Sequence, residues 1–238
     1  VRKGRKEKIR DLLLKSFEIF ASFAVNPYFV FLCNFGGEIF MRRLIVGISG
    51  ASGAIYGIRL LEVLRQHDEI ETHLILTDAA KVTIAQETTW KISDVEALAH
   101  VVHKTSNIGA SIASGSFFTL GMVVVPCSIK SLSGIANSYA DDLLVRAADV
   151  QLKEGRPLIL VVRETPLHLG HLRLMVQAAE IGAVIMPPVP GFYGQPQTVD
   201  DMINGTVGRI LLRLGIENAL YFEWLGLKGK NGTPPTAG

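Results

Sequence analysis

Residues 43–64 read RLIVGISGASGAIYGIRLLEVL: a β-branched apolar run enters a Gly/Ser loop and resumes at once with the apolar spacing of a helix. No other stretch constrains the fold as much, because a strand that opens directly into a helix is one half of a βα unit. Gly47, Gly50 and Gly53 permit tight turning and close backbone approach, Ser49 and Ser52 offer hydroxyls, and the first N–H groups of the helix favour an anion. Two readings stand at this point: a phosphate cradle, or a strand-to-helix turn with Ser52 as its N-cap. A P-loop is excluded, since no Gly-Lys-Ser/Thr closes the run, and the glycines do not fall as G-x-G-x-x-G.

The same alternation continues along the chain. Strands are expected at residues 43–48, 72–77, 122–125, 158–162 and 183–186, with a weaker one at 100–103. Helices are expected at 54–66, 78–87, 131–138, 143–153, 169–181 and 198–214. Apolar runs with helices between them imply an α/β fold, a doubly wound parallel sheet of flavodoxin-like/Rossmann type in a single domain. Ligands then sit outside the carboxyl ends of the strands. Five unusual loops fall there: residues 49–53, Thr77-Asp78, Pro126-Cys127-Ser128-Ile129-Lys130, Arg163-Glu164-Thr165-Pro166, and the PPVPGFYGQPQ run at 187–197.

Each loop also has a purely structural reading. Thr77 and Ser128 suit helix caps, and the Pro/Gly run suits a rigid turn, although it exposes Phe192 and Tyr193. Arg163 and Glu164, directly after an apolar strand, must pair or serve a ligand. Arg146 and Lys153 are seven residues apart and share a helix face, which is either solvated or an anion site. Lys153, Arg163 and Arg209, with Tyr193 as a neutral donor, supply enough cations for a second phosphate. Asp141-Asp142 and Asp200-Asp201 lack partners at helical spacing, so no Asp-rich Mg²⁺ site is expected, and the six histidines show no metal-ligand pattern.

Composition narrows the class. Of 24 Lys/Arg and 22 Asp/Glu, seven and four lie in residues 1–40, which leaves 17 against 18 in a near-neutral body. That scatter argues against nucleic-acid binding. Cys33 and Cys127 are too few for a disulfide framework or a zinc site, so a reducing, cytoplasmic setting is expected. A mean hydropathy of +0.32 without a clear membrane span places apolar surface between subunits, as in a homo-oligomer.

Residues 1–40 do not match the rest. Asn26-Pro27 interrupts the apolar stretch, which argues against a membrane span, and no A-x-A-like site follows it, which argues against a signal peptide. Gly36-Gly37-Glu38 can be encoded as a bacterial ribosome-binding sequence shortly before Met41. The segment is therefore expected to be an N-terminal extension outside the native protein, with an appended helix or a targeting segment as alternatives. The flavoprotein domain is expected at residues 41–238.

GISGASG, PCSIKSLSGIAN, RAADVQLKEGRPLILVVRETPL and PGFYGQPQ together resemble the UbiX/Pad family of flavin prenyltransferases, over residues 41–227. The resemblance implies a Rossmann-type sheet in a large homo-oligomer, usually a dodecamer, with FMN between subunits. It implies transfer of a dimethylallyl group from dimethylallyl phosphate to N5 and C6 of reduced FMN, without metal. The prenylated FMN serves a UbiD-type decarboxylase of aromatic acids. It further implies flavin contacts from Gly50, Ala51, Ser52, Thr77 (Ser in many relatives), Ser128, Lys130, Ser131, Arg146 and Arg163. Lys153, Arg163, Tyr193 and Arg209 match residues that hold the allyl phosphate, partly across subunits, and Trp224 matches an aromatic wall. Glu87 and Glu164 match an acidic pair near the reacting atoms, with Lys153 alongside them as catalytic. Two rivals remain: an FMN-dependent oxidative decarboxylase of peptidyl or pantothenoyl cysteine, and a carrier subunit that binds FMN without catalysis.

Overall fold

The structure is a computed structural model and describes residues 41–224 and Gly226; the expectation for residues 1–40 lies outside the described residues. Six strands form one sheet: β1 (Arg42–Ile48), β2 (Ile70–Leu76), β3 (Val101–His103), β4 (Gly121–Cys127), β5 (Leu158–Val162) and β6 (Val184–Ile185). All neighbours pair in parallel, in the order β3-β2-β1-β4-β5-β6. The helices are α1 (Ala54–Leu64), α2 (Asp78–Glu87), α3 (Ile92–Glu96), α4 (Ile129–Ala136), α5 (Leu143–Lys153), α6 (Leu169–Glu180) and α7 (Val199–Arg213).

Side-chain alternation along the strands builds two cores. Leu44, Val46 and Ile48 of β1 join Ile58, Leu61, Val207 and Ile210 on the face covered by α1 and α7. Ile45 points the other way, with Met122, Val124 and Leu160, against Leu132 of α4 and Leu144 and Ala148 of α5. Strands buried on both faces must be apolar throughout, which is why β4 and β5 read as continuous hydrophobic runs. The expected doubly wound sheet is present.

Several boundaries differ from the sequence expectation. β4 continues through Pro126 to Cys127, where the pairing with β5 slips between Val124 and Cys127. A proline is tolerated in a central strand at such an irregularity, because no ladder donor is required of it there. α4 starts at Ile129, two residues before the expected start, so Lys130 belongs to a helical first turn and not to a loop, while Ser131 is helical as expected. The short α3 and a 3-10 turn at Ser111–Ala113 lack the long apolar periodicity that reveals a helix.

Strand order reverses between β1 and β4, because the chain leaves β1 toward β2 on one side and β4 lies on the other. In open α/β sheets the crevice beyond this switch point is where ligands bind. The loops after β1 and β4 border it.

Candidate active site

The loop after β1 is fixed from below. Ser49 is 1% exposed, and its Oγ donates to the Pro126 carbonyl (2.9 Å) while accepting the Ser128 N–H (2.8 Å). Its own N–H reaches the same carbonyl at 3.2 Å. This hydroxyl ties the end of β1 to the end of β4 and is not offered to a ligand, which corrects the reading of Ser49 as a free donor. At Gly50 a Cβ would overlap that of Ala79, so the missing side chain lets the loop lie against the start of α2. Ala51 and Ser52 follow, both half-buried.

Neither reading of the helix start anticipates what caps α1. Its N-cap is Gly53, with φ 98° in the left-handed region, and it makes no side-chain cap bond. The Glu87 carboxylate, from the last turn of α2, fills the role: Oε2 accepts the N–H of Gly53 (2.8 Å) and of Ala54 (3.4 Å). Ser52 hydrogen-bonds the same carboxylate. The anion position at this helix end is thus held by protein, consistent with the preference of helix N-termini for negative charge. Burial raises the Glu87 pKa, but the Ser52 hydroxyl, the two N–H groups and the charge of Arg163 outweigh it and hold the group below the ordinary carboxylate range. Glu87 is ionised at neutral pH.

Two further helix starts face the same rim. Thr77 Oγ1 accepts the Ala80 N–H at 3.0 Å, and the Ser128 side chain accepts the Ser131 N–H at 3.3 Å and donates to Ser131 Oγ at 3.2 Å. Their capping is real, yet each hydroxyl remains beside main-chain donors at the carboxyl edge. Lys130 is exposed in the first turn of α4. Cys127 is fully buried, and burial pushes its thiol up to about 12, so it is an inert core residue.

Arg163 and Glu164 follow β5, both exposed. The Arg163 N–H donates to Cys127 O at 3.1 Å, and Glu164 Oε1 accepts the Thr165 N–H at 3.0 Å. Among the described residues neither makes an ion pair within 4 Å, so the pairing alternative for these two charges does not hold. On α5, Arg146 bonds Asp149 (2.9 Å) and donates from Nε to the Ala113 carbonyl (3.3 Å), while Lys153 pairs with Glu154.

The Pro/Gly run after β6, α7 and residues 219–222 enclose a cavity of about 800 Å³, lined in part by Tyr193, Asn204, Thr206, Arg209 and Phe222. Tyr193 meets Phe222 at 6.1 Å and Trp224 edge-on at 6.0 Å between ring centroids. The α7 end of this wall is set by a reciprocal cap between Thr198 and Asp201. The expected site residues therefore stand in three groups of one chain. Glu87, Ser52 and Arg163 lie at the switch point, Arg146 and Lys153 on α5, and Tyr193, Arg209 and Trp224 around the cavity.

Most of the histidines have structural partners, the exception being the buried Nδ1 of His171, which has no hydrogen-bond partner among the described residues. The His100 ring accepts from Thr72, and His73 lies between Glu71 (2.8 Å) and His103 (2.9 Å). Glu154, Gly115 and Arg156, which the sequence reading did not single out, meet at the Ser114-Gly115-Ser116 segment: Arg156 donates to Gly115 O at 2.6 Å, and Lys153 pairs with Glu154.

Residues 37–211 match the model of the Flavoprotein family. Flavin prenyltransferase UbiX of Escherichia coli (strain K12) is 64% identical over 188 residues, 78% of this chain and 100% of that protein. This chain belongs to the UbiX family of flavoproteins. Among solved structures, UbiX-family PadA1 in complex with FMN and dimethylallyl pyrophosphate superposes with a TM-score of 0.76 at 45% identity, covering 78% of this chain and 98% of that one. A dodecameric FMN-dependent UbiX-like decarboxylase from Escherichia coli O157:H7 gives 0.76 at 48%, with 77% and 100% covered. An FMN-dependent cysteine decarboxylase of thioviridamide biosynthesis shares the fold alone, at 16% identity and a TM-score of 0.54, covering 74% and 99%.

Proposed function

We propose that this protein is a flavin prenyltransferase. It joins the dimethylallyl group of dimethylallyl phosphate to N5 and C6 of reduced FMN and passes prenylated FMN to a UbiD-type decarboxylase of aromatic acids. The observation that carries the reading is the 64% identity across the whole length of a flavin prenyltransferase. No helix among the described residues is long and apolar enough to cross a membrane, which is compatible with work in the cytoplasm.

The donor set at the rim suits FMN. Thr77, Ser128 and Ser131 put hydroxyls beside main-chain N–H groups at two helix starts, Lys130 and Arg163 add positive charge, and Gly50 and Ala51 bring main chain without bulk. Those residues, with Ser52 and Arg146, are assigned to hold it. When bound, reduced FMN supplies the electron-rich N5 and C6 that accept the allyl carbons.

The rest falls to the chain. Departure of phosphate from an allyl donor leaves a delocalised cation and a dianion. Lys153, Arg163 and Arg209 stabilise the dianion, the Tyr193 O–H donates a hydrogen bond to it, and the faces of Tyr193 and Trp224 stabilise the cation. Because protein cations take the phosphate charge, no metal is assigned a role. Glu164 is assigned the proton movements of ring closure, in which the allyl double bond would gain one proton as its far carbon bonds C6 and C6 would lose one, and Glu87, kept ionised by four neighbours, hydrogen-bonds Ser52 and so fixes that hydroxyl at the rim.

The three groups of site residues within one chain suggest a site completed by a second copy. The apolar residues Leu169, Leu172 and Val176 of α6 are exposed at helical spacing, as is Val189 in the cavity loop, and a homo-oligomer of the dodecameric kind buries such surface. The test is donor labelled in its allyl carbons, incubated anaerobically with reduced FMN. Label should enter the flavin fraction one-for-one with released phosphate, undiminished by EDTA. Phosphate release without labelled flavin would contradict the assignment.

A further inference from the structure

We propose that Gly115 and Glu154 set the position of the Lys153 ammonium group, acting as positioning residues for the phosphate of the allyl donor. This rests on the assignment of Lys153 to that phosphate.

Lys153 is the last residue of α5 and Glu154 its C-cap. Consecutive residues on a helix point in different directions, so a contact between Lys153 Nζ and the Glu154 carboxylate requires both side chains to be turned onto one surface. That surface is the backbone of Gly115. A Cβ there would lie 2.7 Å from Lys153 Nζ and 2.6 Å from Glu154 Cδ, well inside contact distance. Gly115 is not among the glycines with positive φ, so its backbone conformation is open to other residues. The empty side-chain position itself is what the pair uses.

The segment beneath the pair is fixed to the same helix at several points. Arg156 donates to Gly115 O at 2.6 Å and to Phe117 O at 2.9 Å, and its guanidinium lies over the Phe118 ring at 5.2 Å. Arg146 reaches Ala113 O, and Thr119 donates to Gln151 in a buried bond of 2.7 Å. Glu154 is held below the ordinary carboxylate range by its hydrogen bond to Lys153 and then by the charges of Lys153 and Arg156, so it stays ionised. The long lysine stem loses much rotamer freedom when its tip is fixed. A lysine already seated binds phosphate without that entropic loss. The pair is solvent-exposed, which keeps the effect modest.

The test compares Glu154→Gln, Gly115→Ala and Lys153→Ala by steady-state kinetics with dimethylallyl phosphate and FMN varied separately. The atoms that an alanine at 115 displaces are the ends of two flexible side chains, so this variant should fold. Both Glu154→Gln and Gly115→Ala should raise KM for the donor about 2- to 5-fold, the upper part of the range of a weak exposed pair, with KM for FMN and thermal midpoint unchanged. Glu154→Asp, which keeps the charge on a shorter arm, should recover part of the loss. An unchanged or lowered donor KM in both variants, with Lys153→Ala impaired, overturns the seat while leaving the function standing. An unimpaired Lys153→Ala removes Lys153 from the phosphate site, and the seat with it.

Discussion

Replacing Ser49 with alanine should cost this protein more stability than any other single-atom deletion in the loop after β1. The hydroxyl is buried, donates to Pro126 O at 2.9 Å and accepts the Ser128 N–H at 2.8 Å. Without it the part-buried Ser128 N–H is left unpaired, at about 1–3 kcal/mol, while Pro126 O keeps one donor, the Ser49 N–H, and loses about 0.5–1.5 kcal/mol. The expected total is about 1.5–4.5 kcal/mol. For a chain of this size that is a fall of about 3–18 °C in thermal midpoint. The assay is circular dichroism melting at fixed protein concentration, because an oligomer's midpoint depends on concentration. Ser52→Ala, three residues on, removes only a half-exposed bond to Glu87 and should shift stability by less than about 1 kcal/mol. Equal shifts for the two serines, or a loss under about 0.5 kcal/mol for Ser49→Ala, would refute the division of labour within this loop.

Further outcomes follow from the same geometry. Glu164→Gln should retain fold and FMN binding yet slow turnover about 10²–10⁴-fold, the range for loss of a general acid or base, measured by single-turnover kinetics. His73 and His103 both have lowered pKa values, from burial first and then, for His103, from the neighbouring His73. The folded state therefore resists protonation that the unfolded chain accepts. Their contribution is complete above the ordinary histidine range near 6.5 and is lost as pH falls below it. Melting midpoints at pH 7.5 and 5.5 should differ less in His103→Gln than in the wild type, and an equal difference would assign the acid sensitivity elsewhere. Released flavin from purified protein should be FMN and not FAD, and equal retention of the two would count against a monophosphate site.

The strands and most helices were legible because β4, β5 and the helix run at α1 carry strong periodicity. The parallel sheet follows from apolar runs buried on both faces. What sequence could not give was the use of individual polar atoms. Ser49 and Ser52 look equivalent, yet one is a buried clasp and the other faces the rim. Their difference depends on Pro126 and Glu87, which lie 77 and 35 positions away in the chain. Glu87 caps a helix two elements earlier, a contact between chain segments that no local capping pattern encodes. Lys153 was visible as a cation on a helix face, but its seat required knowing that Gly115 passes beneath it. The family resemblance supplied the candidate residues, and only the fold shows that they divide into three groups within one chain.

The central claim is that this protein builds a carbon–nitrogen and a carbon–carbon bond onto a flavin, and does not merely carry one. The most direct test is mass spectrometry of the flavin extracted after anaerobic incubation of wild-type protein with reduced FMN and dimethylallyl phosphate. The account predicts a flavin heavier than FMN by one C5 unit, formed equally with and without EDTA. Recovery of unmodified FMN alone under strictly anaerobic, reducing conditions would contradict it and leave a flavin carrier in its place.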